Sequence, residues 1–266
     1  MLRIDTLPEI IRGIIFDLDG VLWRGNTATC ELPALFNHLS SKSIKFILAT
    51  NSGVETITSI TQRMHNFGVK VEDDQILNSP IALGHLLLDH YPDGGPVYVM
   101  GEQGLVDTLR KFGFYFDEEN PIAVVAGLNR NFTYELLKKT SLLIRRGLPF
   151  YFTNHDPTYP SNEGQVPGAG TMLAALETAT GVKAILAGKP LPFIFEFAME
   201  RLGTSPGETL VVGDRLDTDI AGGQNAGCRT AVVLSGVSTI DQVDMWEPKP
   251  DLVVPNVMNL FDEINA

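Results

Sequence analysis

Short, uninterrupted apolar runs recur along this chain, and segments with helical periodicity separate them. The runs are Ile14–Phe16, Lys45–Ala49, Val97–Val99, Ile122–Ala126, Phe150–Phe152, Ala184–Ala187, Thr209–Val212, Thr230–Leu234 and Asp251–Val254. A strand that is apolar at nearly every position has no face to offer water, so it belongs in a sheet covered on both sides. Helical patterns over residues 32–38, 55–67, 102–112, 134–146, 171–180 and 190–202 supply the cover. The alternation therefore predicts an α/β protein with a parallel sheet. A final helix is expected over 257–264. Between Thr153 and Gly170 the chain is polar and rich in Pro and Gly, which reads as a long loop, and loops of that length are usually functional.

Bulk properties narrow the function. With 266 residues, the chain can bury a sizeable core as one large domain or two modest ones. Its formal net charge of −12 repels nucleic acid and anionic lipid, so neither is an expected partner. The same charge would repel a phosphorylated substrate, so a phosphate site needs local positive charge. Cys30 and Cys228 are the only cysteines and match no metal-ligand spacing, so both are expected to be reduced and structural. The opening residues Met1–Asp5 carry no apolar signal core, and no stretch approaches the ~20 apolar residues that span a bilayer. A cytoplasmic protein is the expectation.

Four polar signals follow predicted strands. Asp17 and Asp19 follow the first, Thr50 and Asn51 the second, Lys189 the run Ala184–Ala187, and Asp214 the run Thr209–Val212. Ligands of open α/β sheets bind beyond the carboxyl ends of the strands, so these residues should converge at one sheet edge. Their chemistry suits phosphoryl transfer. Asp17 and Asp214 can supply the carboxylates that Mg²⁺ prefers. A carboxylate such as Asp17 can also act as nucleophile and split hydrolysis into two easier steps. Asp19, two residues on in an Asp-Gly turn, can serve as general acid and then base. Lys189 offers a point charge to a phosphate, and Thr50 with the Asn51 region offers hydroxyl and backbone donors. Each signal alone has a plainer reading as a turn or a helix cap. Their order, each behind its own strand, is what carries the functional reading.

The runs Asp17-Leu18-Asp19-Gly20-Val21-Leu22-Trp23, Thr50-Asn51-Ser52, Gly188-Lys189-Pro190 and Gly213-Asp214-Arg215-Leu216-Asp217-Thr218-Asp219-Ile220 resemble the motifs of the haloacid dehalogenase superfamily. The likeness is strongest to its phosphatases of pyridoxal phosphate, phosphoglycolate and 4-nitrophenyl phosphate. It implies a doubly wound, Rossmann-like core, residues 1–78 and 184–266, with an inserted α/β cap, residues 79–183. It implies Asp17 as nucleophile and metal ligand, and Asp19 as acid/base with its backbone carbonyl on the metal. Thr50, Asn51 and Ser52 would hold phosphate with Lys189. Asp214 would complete the protein ligands of a Mg²⁺ cofactor, and Asp219 would lie at or near it. The loop Thr153–Pro160 resembles the segment that selects substrate, which makes Asp156 and Tyr159 candidate substrate contacts. Two positions depart from the pattern. Ser52 and Gly53 stand where Asn and Ser usually follow, and Tyr159 stands where pyridoxal phosphatases often carry His.

The implied activity is hydrolysis of a small phosphorylated metabolite; a homodimer is compatible with this reading. A receiver-like phospho-acceptor module is the main alternative, since it combines Asp, Thr, Lys and Mg²⁺ on a similar sheet. Such modules lack a counterpart of Asp19, which is needed only if the phosphoryl group turns over. A phosphomutase is also chemically open. A dehalogenase would not need Asp214.

Overall fold

The computed structural model describes residues 11–161 and 164–260. Strand Gly13–Phe16 is buried at every residue and lies in the middle of a parallel sheet. It pairs with Thr209–Gly213 on one side and Lys45–Thr50 on the other. Arg229–Val233 and Leu252–Val254 extend the sheet beyond Thr209–Gly213, and Ile76–Asn78 forms the opposite edge. The early strands thus step outward on one side and the late ones on the other. The order reverses beside Gly13–Phe16, and loops leaving neighbouring strands at such a point part to open a crevice.

The covering helices follow from residue spacing. Leu32–Ser41 buries Leu32, Leu35, Phe36 and Leu39, the i, i+3, i+4, i+7 stripe of a helix with one apolar face. Those side chains join Phe16, Leu48 and Ile60 in one core. Ile57–Asn66 stops where expected: Gly68 takes φ 81° and its N–H reaches the His65 carbonyl. His38, His65, His85 and His90 all sit on helices.

The described residues fall into two compact units. One comprises 11–50, 57–77 and 189–260; the other comprises 51–56 and 78–188. The second unit has its own parallel sheet, in the order Ile185–Leu186, Phe150–Phe152, Ala123–Ala126, Gly95–Met100, Phe114–Phe116. Its core packs Met100, Val124, Phe150 and Phe152 against Ile144, Leu173 and Leu176 from two helices, Tyr134–Arg145 and Ala169–Thr180.

Three local expectations are corrected. The run Ala184–Ala187, expected in the sheet of Asp17, forms Ile185–Leu186 and pairs in parallel with Phe150–Phe152. Apolar character marks a strand but not its partner, and here the partner lies in the other unit. Thr153–Gly170 is not an irregular loop. Thr158–Ser161 and Gly164–Pro167 form an antiparallel hairpin, and the next helix starts at Ala169. The last helix is, among the described residues, a 3₁₀ turn at Val257–Asn259; the part beyond 260 lies outside them. Residues 51–56 also join the second unit, because the Asn51 carbonyl is held there by Asn154 and Ser79.

Candidate active site

Asp17 leaves strand Gly13–Phe16 with its backbone N–H bonded to the Val212 carbonyl of the next strand. This fixes the side chain at the crevice. Lys189 is buried and commits its three ammonium protons to Asp17 Oδ1 at 2.5 Å, Asp219 Oδ1 at 2.6 Å and the Ala49 carbonyl at 2.9 Å. Asp214, just past Thr209–Gly213, is buried as well. Carboxylate oxygens of Asp17, Asp214 and Asp219 lie within 4.8 Å of one another. Two buried carboxylates and the half-buried Asp17 thus stand around one buried cation, leaving a local excess of negative charge. Burial pushes the Asp17 carboxyl well above its usual range, against the pull of Lys189, and the charges of Asp219 and Asp214 add to the rise. Burial and the Asp219 charge push Asp214 up to about 7. Lys189 is raised above its ordinary value: burial opposes its charge, but Asp17 and Asp219 outweigh it. A hard divalent cation would relieve this excess, and an all-oxygen donor set at this spacing fits Mg²⁺.

Asp219 is delivered by a single π-helical turn, Leu216–Ile220, in which the Ile220 N–H reaches back to the Arg215 carbonyl. Such wide turns are rare and concentrate at functional sites. Asp219 Oδ2 also accepts from the Arg215 N–H. Asp217, in the same run, points away and pairs with Arg215.

Asp19 is close in sequence but its carboxyl is not part of the acidic trio. It accepts from Trp23 Nε1 at 3.1 Å. Trp23 is fully buried, with the Arg63 guanidinium 5.1 Å from its ring centroid. Burial raises the Asp19 carboxyl, with Arg63 and Trp23 opposing. A raised carboxyl suits a group that must donate a proton near neutral pH. Gly20 makes this turn possible. Its φ is 85°, and a Cβ there would lie 2.3 Å from Asp214 Oδ2.

Thr50 is buried at the end of Lys45–Thr50, beside the strand Gly13–Phe16 that leads into Asp17. Asn51 belongs to the second unit, where its amide donates to Asp156 Oδ1 at 3.0 Å, so two expected substrate contacts bind each other. Ser52 is half-buried, its Oγ accepting locally from Val54 N–H at 3.4 Å. Tyr159 stands in the hairpin opposite Val166. His155 is exposed.

Residues 235–238 were not anticipated. Val237 N–H donates to Asp214 Oδ2 at 2.8 Å, Ser238 N–H to the Asp214 carbonyl, and Ser235 Oγ to the Gly20 carbonyl. At Gly236 a Cβ would sit 1.9 Å from Asp214 Oδ2. The only signal in the sequence is a Ser-Gly pair shortly after the run Thr230–Leu234.

Family comparisons agree with this geometry. The haloacid dehalogenase-like hydrolase model matches residues 14–115, and a second HAD-hydrolase-like model matches 186–260. The ribonucleotide monophosphatase NagD of Escherichia coli is 32% identical over 250 residues, covering 94% of this chain and 98% of that protein. A 4-nitrophenylphosphatase structure from Thermotoga maritima superimposes with TM-score 0.90 at 33% identity, covering 96% of this chain and 97% of the other. The glycerol phosphate phosphatase Rv1692 of Mycobacterium tuberculosis, in complex with magnesium, gives 0.89 at 29% identity, covering 99% and 80%. The chain therefore belongs to the haloacid dehalogenase-like hydrolases. Within them it is a phosphatase of the branch that holds NagD and the nitrophenylphosphatases. The receiver-like alternative falls with that assignment. No helix among the described residues is long and apolar enough to cross a membrane.

Proposed function

We propose that this phosphatase is Mg²⁺-dependent, takes small phosphorylated metabolites and works through an aspartyl-phosphate on Asp17. The observation that carries the reading is the cluster in which Lys189 bonds Asp17 and Asp219 while Asp214 completes the acidic trio. Asp17, Asp214 and Asp219 would hold the ion, with the backbone carbonyl of Asp19 as a further oxygen ligand. When bound, it would neutralise charge on the phosphate and so let a carboxylate approach an anion.

The chain's own residues then divide the work. Lys189 fixes the Asp17 carboxylate in place. Asp17 attacks phosphorus, the ester P–O bond breaks, and the leaving oxygen takes a proton from Asp19. A water next attacks phosphorus and gives its proton to Asp19. The Asp17–phosphorus bond breaks, releasing inorganic phosphate and restoring both carboxyls. Thr50, Asn51 and Ser52 contribute donors to the phosphate. Asp156 and Tyr159, carried by the second unit, which we read as the substrate-selecting cap, choose the organic group. The varied substrates in the relatives' names support a shared chemistry with variable selection.

The test is phosphate release from a panel of phosphorylated metabolites. Activity should need Mg²⁺, vanish in EDTA and vanish in Asp17→Asn with the fold retained. Full turnover by metal-free protein, or by Asp17→Asn, would rule the mechanism out.

A further inference from the structure

The first unit carries a cleft of about 460 Å³ at the amino ends of its strands, away from the acidic trio. Lys45, which lines it, opens the strand whose other end is Thr50, roughly 16 Å away at the rise of an extended chain. Small-molecule sites are typically clefts of about 300–1,000 Å³, mainly apolar with a few placed polar groups. Phe36, Ile44 and Phe46 form the apolar part here, with the Phe36 and Phe46 rings edge to face at 4.6 Å between centroids. Lys45 and Arg201 bring positive charge to the same cleft, and Asp74 is the one carboxylate of the lining among the described residues. Backbone carbonyls hold both cations in place. Lys45 Nζ donates to the Leu202 carbonyl at 2.8 Å and Arg201 Nη1 to the Asp74 carbonyl at 2.6 Å, with the Arg201 guanidinium 4.7 Å from the Phe197 ring centroid. Each spends one donor this way. Among the described residues neither meets a carboxylate at ion-pair distance, although Asp and Glu outnumber Lys and Arg by 32 to 20 in this chain.

We propose that this cleft binds a small aromatic carboxylate, with its ring against Phe36 and Phe46 and its carboxylate on Lys45 and Arg201. The charges select the class. Two cations and Asp74 leave a net charge of about +1, which a monoanion balances; a phosphate dianion would put excess negative charge beside Asp74. The planar fork of Arg201 matches the two oxygens of a carboxylate, and Lys45 adds a point charge. A ring without charge would leave both cations unanswered. A carboxylate without a ring would leave the phenyl surfaces in water and forgo the apolar gain. The ligand sits at the opposite end of the strands from Asp17 and Thr50, so it neither meets the metal ligands nor competes with a phosphate ester.

Titration calorimetry of the full chain with phenylacetate tests this apart from catalysis. Phenylacetate should bind at one site per chain with Kd below about 1 mM. Acetate and benzyl alcohol, which keep only the charge or only the ring, should bind at least about tenfold more weakly. Arg201→Gln and Lys45→Gln should each weaken phenylacetate about tenfold, and Arg201→Lys less than Arg201→Gln. Both side chains are exposed and glutamine keeps an N–H donor, so circular dichroism should show an unchanged fold. Lys111→Gln, which removes an exposed cation of the second unit, should leave binding as it is. The same Kd should hold in EDTA and in Asp17→Asn. No binding at tenfold the expected Kd would overturn the proposal. So would binding that acetate matches, that both glutamine variants retain in full, or that needs Mg²⁺ or Asp17.

Discussion

The side-chain amide of Asn154 donates to the backbone carbonyl of Asn51 at 2.8 Å, and both residues are buried. The same amide reaches Ser79 Oγ at 3.2 Å, whose hydroxyl donates to that carbonyl at 2.7 Å. Asn154 Oδ1 accepts from the Asp156 N–H. One carboxamide thus ties the segment after Thr50 to the start of the helix Ser79–His90 and to the loop that leads into the hairpin. Asn154→Ala should cost about 1–3 kcal/mol, because buried polar groups lose a partner that water does not replace. Urea unfolding checks the stability. A rise in KM for every phosphate ester alike would show that Asn51 has lost its position; an unchanged KM would show that Ser79 suffices.

Asp19→Asn separates proton transfer from binding. General acid–base catalysis contributes about 10²–10⁴-fold, so the loss should fall on kcat. It should shrink for 4-nitrophenyl phosphate, whose leaving group needs little protonation. Equal losses for good and poor leaving groups would remove Asp19 from the acid's role.

Metal-free protein should become less stable as pH rises toward neutrality. Asp214 has an ordinary value of 3.8 and is pushed up to about 7 in the fold, with Asp17 raised alongside it. A raised carboxyl favours the folded state fully below its unfolded value, and that contribution is lost as pH climbs through the folded one. Between pH 5.5 and 8 the Tm of EDTA-treated protein should therefore fall. Asp214→Asn should flatten the fall, and Mg²⁺ should largely cancel it. A flat Tm in chelated wild type would contradict the charge excess described for the trio.

Gly236→Ala tests the unanticipated support of Asp214. A methyl there would collide with Oδ2, and the loop must shift to accept it. Groups that orient metal ligands typically carry 10–100-fold of affinity, so the Mg²⁺ needed for half-maximal rate should rise about tenfold or more. Titration of rate against Mg²⁺ reads this directly, and an unchanged midpoint would make the Val237 contact incidental.

Tyr159→Ala should redistribute kcat/KM among phosphate esters while leaving the Mg²⁺ midpoint where it is. Removing a side chain that selects the organic group alters differences between substrates rather than the common phosphate chemistry. A substrate profile identical to wild type would take Tyr159 out of recognition.

Much of this protein is local information. Apolar runs of strand length, helices spaced at i, i+3, i+4, i+7 and the glycine after Phe67 are set by the chain's own periodicity and backbone preference. Asp17, Thr50 and Asp214 were legible for the same reason: each stands where a buried strand ends, and parallel strands put all such ends on one edge. Tertiary structure decided what depends on partners distant in sequence. Ile185–Leu186 is as apolar as a core strand, yet its hydrogen bonds go to Phe150–Phe152. Lys189 reaches Asp17 across 172 residues of chain, arriving from that other sheet. The support of Asp214 by Val237 rests on a backbone N–H, a group every non-proline residue carries, so no residue type could announce it. Sequence named the chemical groups, because chemistry depends on residue type. Only the fold fixed which of them meet, because meeting depends on strand pairing and on how closely backbones approach.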